Sequence, residues 1–308
     1  MKKYELIAEK SIEAFGKKLF RIRALVSFGS IKAGDEGGYV ESEKNIDQSG
    51  DAWVSGDAQV SGDARVSGDA QVYGNAWVYG NAQVSGDARV HGDALVYGDA
   101  QVSGDAQVYG NAWVSGDAQV YGDAQVLGDA RVSGAAQVSG DAQVSGYAQV
   151  SGDAQVFGDA RVSGYAQVYG NARVYGDAWV SGDAQVSGDA RVSGDAQVYG
   201  DARVYGDALV SGDAWVSGNA QVSGDARVHG AASIIFFSNV GSYFGTLTAF
   251  RNKDNGITVT RGCFLGTLDE FRAKVIKTHG GTLHEKAYLG LANYIELHFN
   301  ELHPFEGK

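Results

Sequence analysis

One cysteine, one proline and one methionine in 308 residues leave several protein classes without their raw material. The lone Cys263 forms no internal disulfide and cannot build a multi-cysteine zinc site. Proline is nearly absent and the 45 glycines do not recur at every third position, which excludes a collagen triple helix. No run of 18 apolar residues occurs, so no membrane-spanning helix is expected. The stretch from Met1 to Lys10 lacks the unbroken apolar core of a signal peptide, and the chain reads as cytoplasmic. Basic charge is also scarce: 25 Lys and Arg stand against 37 Asp and Glu, a net charge of −12. Glycine is present at roughly twice its ordinary frequency, yet 44% of residues are hydrophobic, a combination foreign to a simple disordered tract.

What is abundant is a repeat. From Ser49 to Val228 the chain is 30 consecutive hexapeptides, x-Gly-(Asp/Asn)-Ala-x-Val in nearly every copy, with no insertion or deletion. Gly, Ala and Val are invariant throughout, and His229 to Ile234 is a decaying further copy. Val is β-branched and suits a strand, while a Gly-Asp or Gly-Asn pair tolerates positive φ and makes a corner. A chain that turns every six residues closes a three-sided coil every eighteen, so the zone predicts about ten coils stacked at the ~4.8 Å spacing of paired strands. Val and Ala then point inward and their neighbours outward. The fold class expected is an all-β solenoid, a parallel β-helix of triangular section.

The unit Val-x-Gly-Asp/Asn-Ala-x resembles the hexapeptide of the left-handed parallel β-helix, acyltransferase-like superfamily, over about 180 residues. The left hand is an implication of that resemblance alone. The stretch Ile31 to Val40, running into Gly50-Asp51-Ala52-Trp53-Val54, is similar more narrowly to an uncharacterised bacterial and prophage subgroup that carries a transferase label by fold alone. The resemblance also implies a trimer along the coils.

Residues 1–48 read as an N-terminal β cap, with strands from Tyr4 to Lys10 and Lys18 to Phe28 around a Phe15-Gly16 turn, and Gly37-Gly38 leading into the first coil. The repeat zone is taken as 49–234 and a C-terminal α+β capping domain as 235–308. In the latter, Asn255-Gly256 predicts a hairpin. Capping-box signatures at Thr267 to Glu270 and Thr282 to Glu285 predict helices over 268–279 and 283–302. In the second helix Leu283, Tyr288, Leu291, Tyr294, Ile295 and His298 are expected to face the core. Covering the strand edges at both ends prevents end-to-end polymerisation.

Sorting the hexapeptides by threes assigns residues to faces and corners. One corner is Asp in every coil: Asp51, Asp69, Asp87, Asp105, Asp123, Asp141, Asp159, Asp177, Asp195 and Asp213. The zone holds 22 Asp and 8 Arg, so the acidity of the protein resides there. Carboxylates ~4.8 Å apart repel by about 0.9 kcal/mol in water, a cost that Asn at the same corners would not incur. Direct nucleic-acid binding is disfavoured; imitation of nucleic acid toward a basic protein is an alternative. A second constellation is apolar. Trp77, Leu95 and Trp113 fall on successive coils of one face beside Tyr79 and Tyr97, and Tyr73, His91, Tyr109 and Leu127 lie around the adjoining corner. Clustered outward aromatics mark interfaces, and this patch is the seam that a dimer or trimer would use.

Catalytic groupings are not legible. His91 is the only histidine within the thirty repeats, and no loop interrupts them. His284, Glu285 and His298 do not match a His-Glu-x-x-His metal motif, and Cys263 is expected to be a small hydrophobe buried in a strand. No metal and no cofactor is expected. The sequence therefore predicts a non-catalytic acidic solenoid that binds a protein partner, with a nucleic-acid mimic and a hexapeptide-repeat acyltransferase as alternatives.

Overall fold

The computed structural model describes residues 2–14, 16–241 and 243–304. The chain divides into two compact units, Met1–Gly164 and Tyr165–Lys308. In the first unit, two-residue strands recur every six residues and pair in parallel with the strand 18 residues on. Trp53–Val54 pairs with Gln71–Val72, Gln59–Val60 with Trp77–Val78, and Arg65–Val66 with Gln83–Val84. The second unit repeats this, pairing Gln167–Val168 with Gln185–Val186 and Trp179–Val180 with Gln197–Val198. Three stacks per turn make the parallel β-solenoid that the period of six predicts.

The inward residues explain why the coil closes. Every repeat Ala and Val, from Ala52 to Val162 in the first unit and from Ala166 to Val228 in the second, is fully buried. Each Val contributes ~1.5–3 kcal/mol by leaving water, and Ala leaves room for the chain to turn within the narrow section. The corners need glycine for two reasons at once. Gly104 has φ +70, and a Cβ on it would stand 2.9 Å from the backbone nitrogen of Gly122 in the next turn.

The backbone ladder has a direction. Asp57, Gln59 and Ser61 donate their N–H groups to the carbonyls of Gly74, Ala76 and Val78, one turn on. The Gly, Ala and Val carbonyls of the first turn therefore need donors from elsewhere, and the N-terminal segment provides them. Strands Tyr4–Ala14 and Lys17–Ala24 form an antiparallel pair, and Glu36–Val40 joins them to Gln59–Val60. Lys3, 4% exposed, donates from Nζ to Gly50 O at 3.1 Å and Ala52 O at 3.0 Å. Asn45 Nδ2 reaches Gly62 O at 3.0 Å and Ala64 O at 2.9 Å. The backbone N–H groups of Tyr39, Glu41 and Asp47 meet Ala58, Val60 and Val66. Gly37 sits so close that a Cβ would lie 2.4 Å from Val54 O and 2.5 Å from Ile22 Cγ1. Of the expected Phe15-Gly16 turn, Phe15 lies outside the described residues, and Gly16 has φ +71.

In the second unit the chain leaves the coil through a short 3-10 turn at Ala231–Ser233. A four-stranded antiparallel sheet follows, formed by Ile234–Val240, Gly245–Arg251, Ile257–Arg261 and Phe264–Thr267. Helices α1 (Leu268–His279) and α2 (Leu283–Leu297) pack on it. Thr267 and Thr282 cap them as the sequence predicts, each accepting from the N–H three residues on. Buried Thr248 and Thr260 meet the last coils: Gln221 N–H donates to Thr248 Oγ1 at 3.1 Å, and Thr260 Oγ1 donates to Gln221 O at 3.0 Å.

Two expectations need correction. The core stripe of α2 is Tyr288, Ala292 and Ile295, continued by Phe299 in the following π-helical turn, while Leu283 is 81% and Tyr294 45% exposed. At 100° per residue, Leu283 and Tyr294 lie about 140° and about 120° around the axis from Tyr288. Cys263 is exposed, because it sits in the turn between two strands beside Gly262 (φ +58) rather than within a strand.

Candidate functional site

The face carrying Trp77, Leu95 and Trp113 lies wholly in the first unit. Leu95 is in register with Trp77 on one side and Trp113 on the other, and Trp113 with Arg131 beyond it. These are the residues before each Val, which the pleat turns outward. Trp77 and Leu95 are half-buried and Trp113 is 38% exposed. The Arg131 guanidinium lies over the Trp113 ring, 4.7 Å from its centroid. Ala14 and Leu19 of the N-terminal hairpin share a small crevice with Trp77 and Tyr79, so the cap shelters the first rung of the patch.

The flanking corners are stacked rings. Tyr79 and Tyr97 lie parallel with centroids 5.0 Å apart. On the other corner Tyr73, His91 and Tyr109 form a triple stack, with centroids 4.6 and 5.0 Å apart and planes within 6°. Leu127 follows one coil on, half-buried. Rings stacked this closely spend their faces on one another and present edges, so the corners are walls around the Trp-Leu-Trp floor. Both faces of His91 are occupied. Burial in the stack, with the Arg89 charge adding to it, holds the imidazole below its usual pKa.

The acidic corners are exposed at Asp69, Asp87, Asp105, Asp123, Asp141 and Asp159 in the first unit, with Asp51 half-buried, and at Asp177, Asp195 and Asp213 in the second. Asp51 donates its backbone N–H to Asp69 Oδ1 at 2.9 Å. Elsewhere Asn relieves the like-charge stack. Asn75, Asn81 and Asn111 donate from Nδ2 to Asp93, Asp99 and Asp129 at 3.0, 2.9 and 3.1 Å, and in the second unit Asn171 donates to Asp189 at 2.9 Å. The first members of the all-Asp column, Asp51, Asp69 and Asp87, line a cleft of about 490 Å³ with Trp53, Gln71, Tyr73 and Arg89, under Gly29 to Ile31.

The structure thus brings all nine patch residues onto one face and its two corners, and it spreads the ten column carboxylates through both units. Sequence reasoning missed Arg131, although it stands 18 residues after Trp113 in the same column, and missed the shelter given to Trp77. Among the described residues no group of three or more His, Cys, Asp or Glu is placed to hold a metal ion. No helix among them is long and apolar enough to cross a membrane.

A family model described as YdcK Beta solenoid repeat matches the chain over residues 58–71, 70–86, 82–98, 100–116, 106–122, 124–140, 136–152, 154–166, 166–182, 184–200, 196–212, 202–218 and 220–234. No curated protein matches it.

Proposed function

This chain belongs to the YdcK β-solenoid repeat family, and from that premise we propose that it is a non-catalytic acidic scaffold which binds a protein partner through the aromatic face of its first unit. The observation that carries the reading is the Trp77–Leu95–Trp113 rung series, in register and walled by stacked rings. Aromatic residues on an outward face, with few charges at its centre, are the composition of a binding core rather than of solvated surface. The uninterrupted repeats, with no loop to bring a second group to His91, favour the non-catalytic reading over a hexapeptide-repeat acyltransferase, in which that histidine would be the base.

A second reading, imitation of nucleic acid toward a basic cytoplasmic protein, is favoured by the exposed column from Asp69 to Asp159 in the first unit. Affinity capture with the wild type and with Trp77→Ser/Trp113→Ser, followed by binding of the purified partner, separates the two. Loss with the double variant supports the aromatic face. Loss only when Asp105, Asp123 and Asp141 become Asn supports the column. Light scattering on the same variants reports whether the partner is a second copy in a dimer or trimer. Turnover with an acyl-CoA that vanishes in His91→Ala would overturn the scaffold reading.

A further inference from the structure

Resting on the reading above, we propose that the segment docking on this face is an amphipathic helix bearing arginine, with one guanidinium seated over Leu95 against the Trp113 indole. Three observations on the first unit support this. The floor has a notch: Leu95 is shorter than the indoles registered on either side of it, which lie two rungs apart, ~9.6 Å at the spacing of paired strands. The protein already seats one such group, since Arg131, one coil beyond Trp113, places its guanidinium over that indole at 4.7 Å. Trp113 is 38% exposed, so its indole is also accessible to a guanidinium from outside, and a planar cation stacks on indole far better than a strongly hydrated ammonium.

Charge selects the same partner. Residues 49–164 contain fourteen Asp and four Arg, and no Glu or Lys. Asp93 flanks the floor on the corner before it, with Asp129 on the same corner one coil beyond Trp113, and Asp99 and Asp117 flank it on the corner after it. The neighbouring Asn side chains engage one oxygen of Asp93, Asp99 and Asp129. A second copy of so acidic a surface would meet it with repulsion. Spacing selects the helix. Side chains three or four residues apart on a helix are ~5–6 Å from one another, close to the ~4.8 Å rungs, whereas alternate residues of a strand are about 6.6 Å apart and drift out of step over three rungs.

The test uses a synthetic helical peptide of Ala, Leu and Arg, with Arg at every fourth position on one face, and two counterparts in which Lys or Gln replaces Arg. Calorimetry is expected to give one saturable site for the arginine peptide, at least tenfold weaker binding with Lys, and weaker still with Gln. Leu95→Trp, which fills the notch with a residue the same stack already carries, is expected to weaken the arginine peptide at least tenfold. Asp99→Asn/Asp117→Asn, at corners where Asn occurs naturally, is expected to weaken it and flatten its salt dependence. Trp179→Ser in the second unit leaves it unchanged. Equal binding of the Gln peptide overturns the arginine inference while leaving the aromatic face as a docking site. Equal binding by Leu95→Trp and Trp113→Ser overturns both. Absence of peptide binding, with an oligomer that Trp77→Ser disperses, makes a second copy the occupant and overturns the inference.

Discussion

The opening turn of the repeat is met by donors and its closing turns by buried hydroxyls. Lys3 and Asn45 supply side-chain N–H groups to the carbonyls of Gly50, Ala52, Gly62 and Ala64. At the other end of the sequence, Thr248 accepts the N–H of Gln221 and Thr260 donates to its carbonyl. The difference follows from the ladder, in which corner and strand N–H groups are given forward and Gly, Ala and Val carbonyls face back. A run of identical coils is therefore polar along its sequence, and its two caps are not interchangeable. An uncapped edge would leave buried backbone groups unpaired and offer a template for another strand.

Substitutions can break this comparison at graded cost. Gly37→Ala is expected to be the most damaging, at about 3 kcal/mol or more, because its Cβ would collide with Val54 O and Ile22. Lys3→Met comes next, at roughly 2–3 kcal/mol, since two buried carbonyls lose a charged donor. Burial lowers the Lys3 pKa, against the pull of Asp47, Asp51 and Asp69, so the cap holds this ammonium at a desolvation cost. Thr248→Val, which orphans a single N–H, is expected to cost about 1–2 kcal/mol. Denaturant melts rank the three, and a larger loss with Thr248→Val than with Lys3→Met would contradict the contrast between the ends.

A smaller effect concerns pH. His91 has its folded-state pKa pushed down by burial between Tyr73 and Tyr109, so its contribution is present above the unfolded value near 6.5 and is lost as pH falls below it. The melting temperature of the wild type should therefore drop more between pH 8 and pH 5.5 than that of His91→Phe, which keeps the stack and removes the proton site. Equal drops would show that the stack does not oppose protonation.

The interior was legible because each of its residues obeys one local rule: Val for the strand, Ala for the tight section, Gly for positive φ. The caps were legible only where a local signal exists, as at Thr267, Thr282 and Asn255, whose φ is +62. Lys3 and Asn45 carry no such signal. The partners of Lys3 lie more than 45 residues away in sequence, and those of Asn45 belong to the next coil. The patch was readable from the spacing of 18, since registered columns follow from the period. The stacking of Tyr73, His91 and Tyr109, which turns ring faces into walls, depends on rotamers that spacing does not specify. The cover over Trp77 depends on how the hairpin folds back, which leaves no mark in the repeat.

The most direct test of the binding role replaces Trp77, Leu95 and Trp113 together by Gln, the residue at Gln59 and Gln149 in the same stack. Melting and affinity for the captured partner are then measured on one preparation. The account predicts a cooperative melt within a few degrees of the wild type and affinity lowered at least a hundredfold. Undiminished affinity in a variant that melts like the wild type would contradict it.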